Sequence, residues 1–383
     1  MRKELMAMLR CPSCKGTELR LDTAAKNETE ITEGAVVCER CSHVWSVSGG
    51  IVDMLGTLPQ VTMREVDGRA EFVEDMQRTK TVDDEWLLGL PDTAFFVPTG
   101  KGRDYVDNLS RLGALAGLGP SKRVLDIGAG NCWASWRLAA SGASVVAVDV
   151  SRVKYEGLES GAVQIAGHGH YFERVLGDME NLPFEDGSVD GCLFFATLHH
   201  SHNLGLAFGE AARVLRPGGA VLAIHEGVGG ILRNNRVFGI RSVHDVEWEK
   251  YDWNEQVFPL HTYLRAARAA GLEPNVVLPP FVERRLERRD FHGLLFGRIA
   301  ALAARVWRLP GGRALLRSKA SIYAASYLLG MPLTAVFRKK VPARATAAPA
   351  LTVPAFGPGG RATLQSDGRR GACSPGRSLA GRR

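Results

Sequence analysis

The stretch Val124-Leu-Asp-Ile-Gly-Ala-Gly-Asn-Cys-Trp-Ala-Ser-Trp-Arg-Leu-Ala139 decides the reading of this chain. Val124 to Ile127 are apolar but for one acid, the pattern of a strand buried on both faces. Gly128 and Gly130 predict a turn that lets backbone approach a ligand, and Asn131 to Ala139 predict the helix that follows. Strand, glycine turn and helix form a nucleotide cradle at the carboxyl end of a strand in an open α/β sheet. The free N–H groups and dipole of the helix N-terminus suit a carboxylate or phosphate.

Outward from that stretch, strands and helices alternate. Strands are predicted at 123–127, 145–149, 173–177, 189–196 and 219–225, and helices at 132–141, 152–159 and 204–215. This order predicts a mostly parallel sheet with helices on both faces. Upstream, Tyr105 to Leu118 reads as an amphipathic helix. Downstream, Leu260 to Ala270 reads as a helix stopped by Gly271, with Val276 to Leu278 and Val282 as final strands.

The net charge of +7 divides unevenly. Residues 281–341 hold thirteen Lys or Arg against three acids, and residues 342–383 hold seven Arg against one Asp, which leaves −9 for residues 1–280. An acidic body argues against broad tracking of nucleic-acid phosphates, while the basic end suits an anionic surface. No signal-peptide pattern opens the chain, so the expected location is cytoplasmic, peripheral at the inner membrane face if the basic end docks there. Ala320 to Phe337 is an uncharged run of 18 residues flanked by Lys319 and Arg338-Lys-Lys340, just long enough for a membrane span. Gly330 and Pro332 weaken that reading; helices packed on the sheet domain are the expected arrangement, with a membrane-surface helix pair or a true span as the alternatives.

Four of the seven cysteines form two CxxC pairs, Cys11/Cys14 and Cys38/Cys41. Four thiolates in this pattern suit a closed, tetrahedral structural zinc site, which supplies folding energy that so small a unit lacks. A redox CxxC or reducible disulfides would be the competing reading, disfavoured by the second pair and by the absence of a neighbouring βαβ pattern. The segments expected are a zinc ribbon at 1–57, a linker or helical cap at 58–104, a cofactor domain at 105–283, a basic helical extension at 284–341 and a disordered tail at 342–383. In the second segment, Trp86 to Pro91 and Phe95-Phe96 are apolar patches that pack on the next domain or cover the ligand.

The cradle lacks the third glycine of a dinucleotide site, since Cys132 and Trp133 follow Asn131. Asp126 would be awkward beside a pyrophosphate and suits a ligand carrying an amino group and a sulfonium. Here the chain resembles the class I S-adenosylmethionine-dependent methyltransferases, in particular the quinone-biosynthesis branch (methyltransferase type 11). The matching pieces are residues 124–130, Val148-Asp-Val-Ser151, Gly177-Asp-Met-Glu-Asn-Leu-Pro-Phe-Glu-Asp-Gly-Ser-Val-Asp190, Ala196-Thr-Leu-His-His200 and Glu210-Ala-Ala-Arg-Val-Leu-Arg-Pro-Gly-Gly219. The resemblance implies a Rossmann-like, mostly parallel sheet of seven strands. It also implies that Asp126, Gly128 and Gly130 hold the methionine part of the cofactor, that Asp149 (beside Val150) takes the ribose hydroxyls, and that Asp178 and Met179 border the adenine. Thr197 to His200 would lie beside the sulfonium.

Methyl transfer needs in-line positioning and, for many acceptors, a base. His199, His200, His202 and His225 are candidates. The N-terminal stretch resembles the zinc-ribbon family that activates tRNA methyltransferases, through Cys11-Pro-Ser-Cys14-Lys-Gly16, Cys38-Glu-Arg-Cys41 and Ser48-Gly-Gly-Ile-Val-Asp-Met-Leu55. Its seven basic and eight acidic residues do not make a basic RNA grip. The leading expectation is therefore methylation of a small-molecule or lipid-linked acceptor; peripheral membrane contact, if made, would run through 284–341. The alternatives are an rRNA or tRNA methyltransferase and a non-catalytic cofactor-binding scaffold.

Overall fold

The structure, a computed structural model, describes residues 1–79, 82–94, 102–231, 250–251, 256–289 and 297–341. The strands are β1 (Leu19–Lys26), β2 (Ile31–Cys38), β3 (Val44–Ser48), β4 (Ile51–Asp53), β5 (Arg123–Ile127), β6 (Ser144–Asp149), β7 (Glu173–Leu176), β8 (Val189–Phe195), β9 (Leu215–Glu226), β10 (Leu272–Val276) and β11 (Leu333–Lys339). They form one sheet in the order β1-β2-β3-β4-β7-β6-β5-β8-β9-β11-β10. Seven mostly parallel strands were expected. The sheet instead has eleven and is mixed, because the cysteine-bearing unit does not stand apart: β4 pairs parallel to β7, Val52 opposite Val175.

β5 to β8 are near-continuous apolar runs because both faces are covered. Leu125 and Ile127 pack with Phe208 on α6 (Leu204–Val214) and Tyr263 on α7 (Leu260–Ala269). Val124 faces the other way, with Leu109 and Leu112 on α3 (Gly102–Ala116) and Leu138 on α4 (Trp133–Ala140). By the same alternation Asp126 points at α4, where the Ser135 hydroxyl donates to its Oδ2 at 2.6 Å.

Two further expectations fail here. Residues 152–159 do not form a helix; Tyr155 has a left-handed φ of 76°, and Leu158 and Glu159 donate back to the Ser151 and Arg152 carbonyls. The helix comes later, as α5 (Ser160–His168). Val282 is not a strand residue: Pro279 and Pro280 open a helix, α8 (Pro280–Arg288), whose first turn needs no proline N–H. The last two strands are β10 and the distant β11.

The uncharged run Ala320–Phe337 also divides. α11 (Lys319–Leu329) ends at Gly330, whose φ of 63° caps it, and after Pro332 the chain enters β11 between β9 and β10. Its apolar character answers to burial in the sheet, and the expected helical extension gives the sheet a strand. No described helix is long and apolar enough to cross a membrane. Before β11 come α9 (Gly297–Trp307) and the short α10 (Gly312–Leu316).

Two helices precede α3. α1 (Gln60–Thr79) brings Thr62, Glu65 and Arg69 to the region where β5 to β8 end. α2 (Asp84–Leu88) buries Trp86 and Leu87, with Leu90, against Tyr155. Phe95 and Phe96 lie outside the described residues, as does the whole tail 342–383.

Candidate cofactor cleft and metal centre

A cleft opens where β5, β6, β7 and β8 end. Gly128, Asp149, Val150, Asp178, Met179 and Thr197 line it, and so do Thr62, Glu65, Arg69, Glu180, His200, Ser201 and His202. The turn after β5 is shaped by sterics. Gly128 has φ +69°, and a Cβ there would lie 2.3 Å from Thr197 Oγ1, which donates to the Gly128 carbonyl at 3.2 Å. Gly130 also has a left-handed φ. Cys132, in place of a third glycine, still adopts φ 62° and is fully buried at the start of α4. The unusual residue keeps the backbone conformation a glycine would supply.

Asp149 is 4% exposed, and each of its oxygens takes a backbone bond: Gly130 N–H donates to Oδ2 and Ser151 N–H to Oδ1, both at 2.8 Å. A carboxylate offers about four acceptor directions, so capacity remains for a ligand. Asp178 accepts from the Glu180 N–H at 2.8 Å, and burial raises its carboxyl above the usual range. Asp126 and Gly130 do not line the cleft. Burial pushes the Asp126 carboxyl up to about 7 against the Ser135 bond, with the Asp149 charge adding to the rise.

The sequence-predicted histidines part company. His200 lines the cleft and sets Nδ1 2.9 Å from Glu65 Oε1. Burial would raise the Glu65 carboxyl, but the His200 ring and the Arg69 guanidinium at 3.0 Å outweigh it and hold it at about 2. His199 turns away to Glu226, Nδ1 to Oε2 at 2.9 Å, and that carboxylate also takes the N–H groups of Thr197 and His199. It ties the loop after β8 to the end of β9.

His225 sits in a β9 bulge with φ 60°, a device that re-aims a side chain. It is stacked between Tyr105 at 4.6 Å and Phe281 at 5.0 Å, beside Phe195. Burial lowers it to about 4, helped by Arg285. Its Nε2 is 2.8 Å from Asn108 Nδ2, while Asn108 Oδ1 accepts from Phe281 N–H. The amide therefore donates to Nε2, and the ring proton resides on Nδ1.

Sequence reasoning missed Glu65, Arg69 and Asn108. An i,i+4 Glu–Arg pair reads as a solvated helix face, and only the position of α1 buries it.

At the far end of the sheet, the sulfurs of Cys11, Cys14, Cys38 and Cys41 lie within 4.8 Å of one another, Cys11 to Cys41 at 3.7 Å and Cys14 to Cys38 at 3.5 Å. Sulfurs about 2.3 Å from a tetrahedral zinc ion would be about 3.8 Å apart. The two turns match: Lys15 N–H donates to the Cys11 carbonyl and Ser42 N–H to that of Cys38, and Lys15 and Ser42 share a left-handed φ. Such a donor set fits one tetrahedral soft-metal ion.

Residues 125–223 match the family model described as a methyltransferase domain, and residues 2–50 match that of the Trm112p-like protein. The two matches lie in one chain, the first spanning the turn after β5 and the second spanning all four cysteines. Demethylmenaquinone methyltransferase of Mycobacterium sp. (strain KMS) is 40% identical over 111 residues, 28% of this chain and 44% of the relative. 24-Methylenesterol C-methyltransferase 2 of Oryza sativa subsp. japonica is 26% identical over 181 residues, 46% of this chain and 49% of the relative. The chain spans less than half the length of these curated relatives. Among solved structures, geranyl diphosphate C-methyltransferase from Streptomyces coelicolor A3(2) aligns with a TM-score of 0.44 at 15% identity, covering 74% of this chain and 98% of that one.

Proposed function

We propose that this chain is an S-adenosylmethionine-dependent methyltransferase acting on a small-molecule or lipid-linked acceptor, with a structural zinc ion in its cysteine unit. The observation that carries the reading is the convergence of Gly128, Asp149, Asp178 and Thr197 on one cleft, inside the segment that matches a methyltransferase domain. Within the eleven strands, we take β5 to β11 as the seven-stranded Rossmann-like cofactor sheet.

Bound in the cleft, S-adenosylmethionine would supply a methyl group already activated by its sulfonium. Asp149 offers its remaining lone pairs to the ribose hydroxyls, with Val150 beside it. Asp178 and Met179 border the adenine, and the Gly128 turn admits the methionine part. Asp126 acts from beneath, fixing α4 through Ser135, and Gly130 acts by holding Asp149. Arg69 balances the carboxylates of Glu65, Asp149 and Glu156, the last of which burial pushes up to about 7.

Of the candidate bases, His200 has the geometry of an oriented imidazole. Its Nδ1 lies 2.9 Å from Glu65 Oε1 and its ring lines the cleft, the placement a general base needs. The Nε2 of His225 is engaged by Asn108, and its ring is packed among Tyr105, Phe195 and Phe281 outside the residues that line the cleft, so His225 is not taken as the base. His199 positions the loop through Glu226.

The test is transfer of labelled methyl from S-adenosylmethionine into fractionated cell lipid, small molecules, RNA and protein. Label in the lipid or small-molecule fraction supports the reading. Label confined to RNA overturns the acceptor assignment, and intact cofactor binding without transfer to any fraction overturns the enzyme assignment.

A further inference from the structure

The outward side of α9 and α10 combines two chemistries. On α9, Ala304 and Trp307 face inward against Leu286 of α8, each almost fully buried. At 100° per residue this leaves Arg298, Ile299, Leu302 and Arg305 on the outer face, all exposed, with Arg308 and Leu309 just beyond the last turn. α10 adds exposed Arg313 and Leu315. Leu302, Leu309 and Leu315 are 60%, 60% and 57% exposed, a costly placement for side chains that could have packed inward. Residues 297–341 carry six Arg, three Lys and no acid.

We infer that this face is a docking surface for an anionic lipid bilayer. Leucines in reach of arginines match an interfacial helix, apolar side chains entering the acyl boundary and cations meeting the headgroups. A nucleic acid would call on exposed aromatic side chains for stacking, and the tryptophan here is 1% exposed. The patch is held rigidly to the enzyme: Arg317 donates to Glu283 on α8 at 2.7 and 2.9 Å, and Arg284 on α8 to Asp104 on α3 at 2.6 Å. α8 also carries Phe281, the residue stacked on His225. One helix thus joins the bilayer-facing side to the buried ring cluster around His225 at the end of β9. The inference rests on the reading of a lipid-linked acceptor and gives that acceptor its source.

The experiment is flotation of the full chain with phosphatidylglycerol-containing vesicles and with pure phosphatidylcholine vesicles, for the parent, for Arg298→Glu/Arg305→Glu/Arg308→Glu and for Leu302→Ser/Leu309→Ser/Leu315→Ser. The parent should float with anionic vesicles only. At about a factor of five per basic residue lost, the arginine variant should partition at least about a hundred-fold more weakly, the added glutamates weakening it further, and the leucine variant should also lose binding. These positions are exposed, and cofactor binding verifies that each variant is folded. Equal flotation of all three proteins overturns the inference, as does binding lost only in a fourth protein that lacks residues 342–383. RNA binding that needs the arginines and ignores the leucines overturns it too. Vesicle binding by the parent with no methyl transfer to any lipid would sustain the docking surface and refute the lipid-linked acceptor instead.

Discussion

The Nδ1 of His200, on the turn after β8, lies 2.9 Å from Glu65 Oε1 on α1, so a helix between β4 and β5 sets a carboxylate beside a side chain of the loop beyond β8. Glu65→Gln should lower kcat by about ten- to a hundred-fold while leaving cofactor affinity near that of the parent. A pair with only a structural role would lower Tm and leave kcat in place.

Asp149 serves two clients, the backbone at Gly130 and Ser151 and the proposed ribose. Asp149→Ala should weaken S-adenosylmethionine binding by at least about a hundred-fold, the loss of two charge-assisted hydrogen bonds. Calorimetry checks this, and unchanged affinity would remove the cleft from consideration as the cofactor site.

Gly128→Ala meets two obstacles, a left-handed φ and a Cβ placed 2.3 Å from Thr197 Oγ1. The expected cost is about 1–3 kcal/mol of stability together with loss of cofactor binding. Thermal unfolding and calorimetry report the two effects separately; a stable variant with full affinity would contradict the steric argument.

Asp126 gives stability a pH dependence with a definite sign. Its folded value, about 7, stands above the value of about 3.9 in an unfolded chain. Its contribution is therefore fully present below about pH 4 and is lost as pH rises through about 7. Asp126→Asn should flatten the fall in stability between those limits, by a few kcal/mol at most. Denaturation curves taken across that range read the slope directly.

Withdrawing the proposed metal ion should be felt along the whole sheet. Because β4 hydrogen-bonds to β7, a strong chelator or Cys14→Ser should lower the Tm of a single transition. Two separate transitions, with the second unmoved, would show that the cysteine unit folds independently.

Much of this was legible because it is local. β5 was readable to the residue, since a strand buried on both faces has few polar positions. The cysteine pairs were readable because a tetrahedral site demands close spacing. What escaped was set by distant partners. Val282 looks like a strand residue, yet the prolines ahead of it begin a helix and the sheet takes β11 from far downstream. Glu65 and Arg69 look like a surface pair until α1 is placed over the cleft. Ala320 to Phe337 looked uniform, but its two halves answer to different neighbours, one helical and one within the sheet.

The parallel pairing of β4 with β7 also has a colloidal meaning. Without β4, the outer N–H and C=O groups of β7 would form an open edge, the template on which a second chain adds its own strand. The cysteine unit closes that edge with three further strands. A chain cut back to begin after residue 57 should therefore self-associate through β7, and its failure in an assay would report aggregation rather than a missing substrate handle.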